Sequence, residues 1–280
     1  YGSFEALAKD PDVDVIHNTT PNFLHGPVIQ AAIAHGKHII SEKPLASSAT
    51  EAHALWRAAA DAGIVHAVTF NYRGNPLVQQ MRAMVAAGET GPVHYVHGAY
   101  LQDWLLKPTD YSWRLEPEQG GVSSAFADIG SHWCDLAQHV VGQPIVEVMA
   151  DLTTFIPVRH RPTGHVETFS TERAADTVPV DIRTEDVATV LLRFEGGARG
   201  QFAVSQLSPG RKNSLQYEID GSTSAVAWDS EQPEQLWIGH RDRPNELFLR
   251  DPAQLDASAA AFTDYPGGHA EGFPDTFKQL

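Results

Sequence analysis

The chain has 280 residues, 42% of them hydrophobic, and its 35 acidic side chains against 20 basic ones leave a formal charge of -15. That length holds one large or two medium domains at about 100–200 residues each, and two is the expectation. The charge excludes nucleic acid and anionic membrane surfaces as partners. No apolar run approaches the ~20 residues of a membrane span, no secretory leader opens the chain, and a single cysteine, Cys134, leaves no internal disulfide and points to the cytoplasm.

Residues 4–10 read as a helix, and Val13-Asp14-Val15-Ile16-His17-Asn18 as a short strand running into the turn Thr19-Thr20-Pro21-Asn22. A helix over about 25–35 sets Val28, Ile29, Ala32 and Ile33 on one face and stops at Gly36. Lys37 to Glu42 is a second strand, followed by Lys43-Pro44. A helix over 48–62 stops at Gly63, and residues 64–71 form a third strand. This alternation predicts a parallel α/β sheet. Ligands of such sheets lie at the carboxyl ends of the strands, where Thr20, Pro21, Asn22, His25, Glu42, Lys43, Asn71 and Arg73 collect.

After Arg73 the pattern changes. A helix over 76–87 ends at Gly88, a strand covers 93–102, and a helix covers 128–141. Strands follow at 146–157, 186–195, 198–206, 214–220, 223–229 and 235–239, with turns at Glu195-Gly196-Gly197-Ala198 and Asp220-Gly221-Ser222. Residues 158–184, rich in charge and threonine, read as a long loop, and 273–280 as the start of a helix. The expected division is an α/β domain over 1–73 and an α+β domain over 74–280, built on a large, mainly antiparallel sheet.

The chemistry concentrates in Asp128-Ile129-Gly130-Ser131-His132-Trp133-Cys134-Asp135. A helix starting near Asp128 puts Asp128 and His132 at i and i+4 on one face, so a carboxylate can orient an imidazole suited to acid/base work near neutral pH. The plainer alternative is a helix cap with a buried histidine. Cys134 in the same stretch reads as a small buried thiol, not a nucleophile.

Thr20-Pro21-Asn22-x-x-His25, Gly36-Lys37-His38-x-x-x-Glu42-Lys43-Pro44-Leu45, Asn71-Tyr72-Arg73-x-x-Pro76, Trp113-Arg114, and Gly120-Gly121 through Asp128-x-Gly130-x-His132-x-x-Asp135, in this order, resemble the glucose–fructose oxidoreductase/inositol dehydrogenase (Gfo/Idh/MocA) family. The resemblance implies a Rossmann NAD(P) domain, of which 1–73 would be the remainder, followed by an open-faced sheet domain. It implies hydride transfer between NAD or NADP and a carbon of a sugar, anhydrosugar or cyclitol. It makes Lys43, Asp128 and His132 catalytic, with His132 the acid/base, Asp128 its neighbour and a substrate contact, and Lys43 the cation that stabilises an alkoxide. Thr20, Pro21, Asn22, His25, Glu42, Lys43, Asn71, Arg73, Trp113 and Arg114 would contact the cofactor. A cis Lys43-Pro44 bond is implied as well.

Gln102-Asp103-Trp104 and Gly268-His269-x-Glu271 resemble segments of sugar-oxidising members, the levoglucosan dehydrogenase type among them, and place Trp104 and His269 with Lys43, Asp128 and His132 around the substrate. A flat indole suits the C–H face of a sugar ring. The family also implies a homo-oligomer, dimer or tetramer, through the open sheet face. The chain departs from the family pattern in having no Gly-x-Gly-x-x-Gly turn before Val13, equivalent to about 60 residues at ~30 per βαβ unit. As written it is expected to bind NAD(P) weakly or not at all, and so to be inactive. Two other classes remain. One is a metal-dependent hydrolase or isomerase drawing on some of the 14 histidines, and the other is a cofactor-less binding or regulatory homologue.

Overall fold

The alternating apolar runs of the first 70 residues fold as alternating strands and helices. Helix α1 (Phe4–Lys9), strand β1 (Val15–Asn18), helix α2 (His25–Ala34), strand β2 (His38–Glu42), helix α3 (Ala49–Asp61) and strand β3 (His66–Thr69) follow one another, and the strands form a parallel sheet in the order β1-β2-β3. Ser3 and Ser48 cap α1 and α3 by accepting from Ala6 N–H and Glu51 N–H. Gly36 and Gly63 end α2 and α3 at φ +66° and +67°, the left-handed region that a side chain resists. Val28, Ile29 and Ala32 of α2 pack with Ile16, Ile39, Leu55 and Ala59 into one core. These residues recur at the helical period, so burying them fixes which face of α2 meets the sheet.

The computed structural model describes residues 1–164 and 176–279. Tyr1–Phe70 forms one packed unit with Ser112–Ser124, and Asn71–Tyr111 forms the other with Ala125–Leu280. Trp113 and Arg114 therefore belong to the first unit.

The second unit holds helix α4 (Pro76–Ala86), strand β4 (Val93–Leu101), helix α5 (Ser131–Val141) and strands β5 (Ile145–Thr153), β6 (Val158–Pro162), β7 (Thr177–Asp181), β8 (Val187–Phe194), β9 (Arg199–Ser205), β10 (Ser214–Gly221), β11 (Ala225–Asp229), β12 (Gln235–Gly239) and β13 (Glu246–Leu249). Eight of these strands make a mixed, mainly antiparallel sheet in the order β13-β12-β11-β10-β4-β9-β8-β5, with β4 and β9 its parallel pair. One face is covered by α4 and α5, whose Leu77, Val78, Met81, Trp133, Leu136 and Val140 meet inward residues such as Val96, Val190, Phe202 and Leu215. Trp133 stacks on Phe202 at 4.2 Å between centroids, and its indole N–H donates to the Gln216 carbonyl. Thus α5, which carries His132, is bolted to the sheet. The opposite face leaves Met149, Leu191, Leu247 and Leu249 exposed.

Three sequence expectations change. The helix expected from residue 128 starts as an α-helix only at Ser131, because Phe126–Gly130 winds as a π-helical turn. The loop expected over 158–184 contains the antiparallel pair β6–β7, while 165–175 lie outside the described residues. Its alternation is masked because the inward side chain of β6 is an arginine, Arg159. The helix expected from Phe273 is one α turn, Phe273–Thr276, continued by a 3-10 turn at Phe277–Gln279; Leu280 lies outside the described residues. Strand β13 adds an edge strand that its four residues are too few to announce.

Candidate active site

In the first unit, the parallel sheet brings the carboxyl ends of β1 and β2 side by side. Asn18, the last residue of β1, donates from Nδ2 to Ser41 Oγ at 3.1 Å and accepts at Oδ1 from the Thr20 hydroxyl at 2.7 Å. The turn holding Thr20, Pro21 and Asn22 is thereby pinned to the neighbouring strand. Buried His25 joins the next pair of loops, with Nδ1 2.7 Å from the Pro44 carbonyl and Nε2 2.9 Å from that of Thr20. Both partners accept, so a neutral ring donates to one of them and a protonated ring to both. Glu42 and Lys43 are half-buried at the end of β2, and the Lys43-Pro44 bond is cis. Asn22 Nδ2 donates to the Gly120 carbonyl at 3.3 Å. Gly120 lies so close to the chain that a Cβ would come within 2.3 Å of the Arg114 carbonyl oxygen. Arg114 sits 4.5 Å above the Trp113 ring. A hydroxyl, two carboxamides, a carboxylate and a cation thus collect at the ends of parallel strands, where ligands of such sheets lie.

In the second unit, half-buried Asp128 lies in the π turn and accepts from Gln206 Nε2 at 3.0 Å. The turn is fixed from below: Glu185 Oε1 accepts from Phe126 N–H at 2.8 Å, and Gly130 faces the Phe126 ring, where a Cβ would meet carbon at 2.8 Å. One residue of extra winding separates this geometry from the regular i, i+4 stacking that the spacing suggests. His132 opens α5 and is buried. The Tyr72 ring stands perpendicular to its imidazole at 5.1 Å, and the Tyr100 ring lies at 6.3 Å. Burial raises the pKa of both phenols, Tyr100 well above its ordinary value, so both stay neutral around the histidine. Burial pushes the Cys134 thiol up to about 12, which leaves no thiolate for nucleophilic chemistry at neutral pH.

Arg73 is engaged within the same unit. Its Nε donates to Asp135 Oδ2 at 2.7 Å and a second guanidinium nitrogen to Oδ1, a bidentate fork. Asn71 Nδ2 donates to Thr276 Oγ1 at 3.1 Å. Trp104 Nε1 donates to Gln102 Oε1 at 2.8 Å. His269 is exposed, and its carbonyl is gripped by Arg250, a buried guanidinium that also pairs with Glu234 at 2.7 Å and Glu271 at 2.9 Å. Gln206, Tyr72, Tyr100, Asn213 and Arg250 were not singled out from the sequence. Tyr72 alone carried a signal, its place inside the Asn71-Tyr72-Arg73 motif.

Next to this site, Gln79 Nε2 donates to the Arg73 carbonyl and to His139 Nε2 at 3.1 Å. A nitrogen that accepts must be unprotonated, and burial with Arg73 and Arg82 nearby lowers the His139 pKa to about 4. The folded state therefore binds fewer protons here than the unfolded chain, whose imidazole titrates near ~6.5. Stability is expected to fall as pH drops from about 6.5 toward 4. In urea titrations across that range His139→Gln should flatten the slope, and an unchanged slope would discard this assignment.

Among the described residues, one group of side chains could ligate a metal: His97, Glu218 and Asp220. It lies on β4 and β10 and includes neither Asp128 nor His132.

The family profile described as "Oxidoreductase family, NAD-binding Rossmann fold" matches residues 1–70, and that of the "GFO/IDH/MocA C-terminal domain" matches residues 78–227. The levoglucosan dehydrogenase of Pseudarthrobacter phenanthrenivorans is 34% identical over 270 residues, 96% of this chain and 67% of that protein. A levoglucosan dehydrogenase solved with NADH and levoglucosan superposes with a TM-score of 0.85 at 29% identity, over 100% of this chain and 72% of that one. An inositol dehydrogenase homologue from Azotobacter vinelandii, solved with NAD+, gives a TM-score of 0.85 at 28% identity, over 99% of this chain and 67% of the other. The chain spans about two thirds of the length of the curated relatives it matches.

Proposed function

Because the chain belongs to the Gfo/Idh/MocA oxidoreductase family, we propose that the protein is an NAD(P)-dependent dehydrogenase of CH–OH groups whose substrate is a pyranose, anhydrosugar or cyclitol. The observation that carries this reading is the Asp128–His132 site: a carboxylate held by Gln206 and an imidazole packed against two neutral phenols. Its relatives supply the substrate class, since levoglucosan and scyllo-inositol dehydrogenases stand among them.

His132 takes the hydroxyl proton as hydride leaves the carbinol carbon, and returns it in the reverse direction. Asp128 orients the imidazole and accepts a hydrogen bond from a substrate hydroxyl. Lys43 places a positive charge beside the developing alkoxide. Bound nicotinamide supplies the hydride acceptor. Thr20, Pro21, Asn22, His25, Glu42, Asn71, Arg73, Trp113 and Arg114 hold the dinucleotide in this proposal, and Trp104 and His269 hold the ring. The exposed apolar residues on the open sheet face support self-association of the protein.

A panel of monosaccharides, anhydrosugars and inositols tests the reading, with reduced nicotinamide followed by absorbance. Turnover of at least one cyclic polyol is expected. Reaction confined to open-chain aldehydes or amino acids would discard the sugar assignment.

A further inference from the structure

Beside His132, side chains from three separate segments join in a hydrogen-bond network whose direction can be worked out. The indole N–H of Trp104 can only donate, and it points at Gln102 Oε1 at 2.8 Å. The other end of that carboxamide, Nε2, therefore donates to Asn213 Oδ1 at 2.7 Å. This orients Asn213 in turn, so that its Nδ2 donates to the Tyr72 hydroxyl at 2.7 Å. Asn213 Oδ1 has no proton to give, so the Tyr100 hydroxyl donates to it at 2.7 Å. The remaining contact, 2.7 Å between the two phenolic oxygens, is then donated by Tyr72 to Tyr100. Asn213, Tyr72 and Tyr100 form a closed cycle in which each donates to the next.

Two consequences follow. Both phenolic protons are committed within the cycle, so neither tyrosine has a proton to exchange with substrate. Both aromatic rings are also held in place, and they pack against the imidazole of His132 at 5.1 and 6.3 Å. The hub is itself anchored: Glu231 Oε1 accepts from the backbone N–H of Asn213 at 3.2 Å and of Lys212 at 3.1 Å, and Lys212 pairs with Asp103 at 2.7 Å.

We infer that Asn213 is a positioning residue for the reaction: it locks Tyr72 and Tyr100 against the imidazole of His132 and, through Gln102, sets the indole of Trp104. This deepens the proposed function and rests on His132 being the acid/base.

The test uses the native protein with its cofactor and a substrate from the panel. Asn213→Leu removes the hub and Tyr100→Phe opens the same cycle elsewhere. Each is expected to lower kcat by about 10²-fold, the cost of a displaced catalytic group, with cofactor KM changed by less than about two-fold. Because one cycle is broken in both cases, the double variant should be no slower than the slower single one. Tyr217→Phe is the control, since the buried Tyr217 hydroxyl has no hydrogen-bond partner among the described residues, and it should keep parental kcat. Parental kcat in Tyr100→Phe, or losses that multiply in the double variant, would overturn the inference, and Tyr100→Phe decides the matter alone if Asn213→Leu does not fold. His132→Ala in the same series separates the two readings. An inactive His132→Ala beside active cycle variants discards the positioning role, whereas an active His132→Ala discards the base itself.

Discussion

His132→Ala is expected to lower kcat by about 10²–10⁴-fold, the usual loss for a removed acid/base group. The imidazole is buried against the Tyr72 and Tyr100 rings, and burial keeps those phenols neutral, so neither supplies a substitute base. In the proposed mechanism, oxidation requires the neutral imidazole to accept the hydroxyl proton. Consequently kcat/KM in that direction should rise with pH through the range where an imidazole loses its proton, and His132→Ala should abolish that limb. Dinucleotide affinity should change little. Lys43→Met should cause a comparable loss of kcat through the alkoxide, leaving the limb in place. Asp128→Asn should reduce both kcat and substrate affinity, because Gln206 Nε2 would then face either an amide oxygen or a second donor, depending on how the new carboxamide settles. Steady-state kinetics over pH decide all three. Near-native turnover of His132→Ala with the same acidic limb would assign the base to another residue.

Periodicity made the parallel sheet legible, because Val28, Ile29 and Ala32 recur on one helix face and Gly36 marks its end. It also located α5, whose buried face includes Leu136 and Val140. What escaped was of two kinds. Local winding escaped where a non-local partner decides it: the π turn at Phe126–Gly130 is held by Glu185, 59 residues away in sequence, and no spacing rule within the turn encodes that contact. Polar networks escaped because their members are scattered. Asn213 reads as a loop residue until the fold brings it to Tyr72 and Tyr100, which precede it by 141 and 113 residues. The motif residues themselves were visible, yet much of what holds them in place, such as Gln206 under Asp128, follows from tertiary contacts alone.

Arg159→Met should be the most destabilising single change in the second unit. The guanidinium is 0% exposed, and one nitrogen donates to three carbonyls, those of Leu105 at 2.8 Å, Lys107 at 3.0 Å and Asp110 at 3.1 Å. Another donates to Asp186 Oδ1 at 2.7 Å. The second carboxylate oxygen of Asp186 accepts from Phe155 N–H at 2.8 Å and Ile156 N–H at 2.9 Å, and the backbone carbonyl of the same residue accepts from Gln206 N–H at 3.1 Å. One ion pair thus joins the ends of β5, β6 and β9 to the segment that follows Trp104. Removing the cation leaves a buried carboxylate without its counter-ion, at about 3–5 kcal/mol. Arg159→Lys should fall between the variant and the parent, since an ammonium keeps the charge but cannot span three carbonyls and the carboxylate in the same fork. Arg159→Met with Asp186→Asn should lose less than the sum of the single variants, because the stranded charge is gone. Urea unfolding of the four proteins measures each term. If Arg159→Met costs under about 1 kcal/mol, the value of an exposed pair, the knot is not what holds these strands. In any variant that remains folded, KM for the proposed cyclic polyol substrate should rise more than KM for the dinucleotide, because the loosened segment adjoins Trp104 and the Gln206 that holds Asp128.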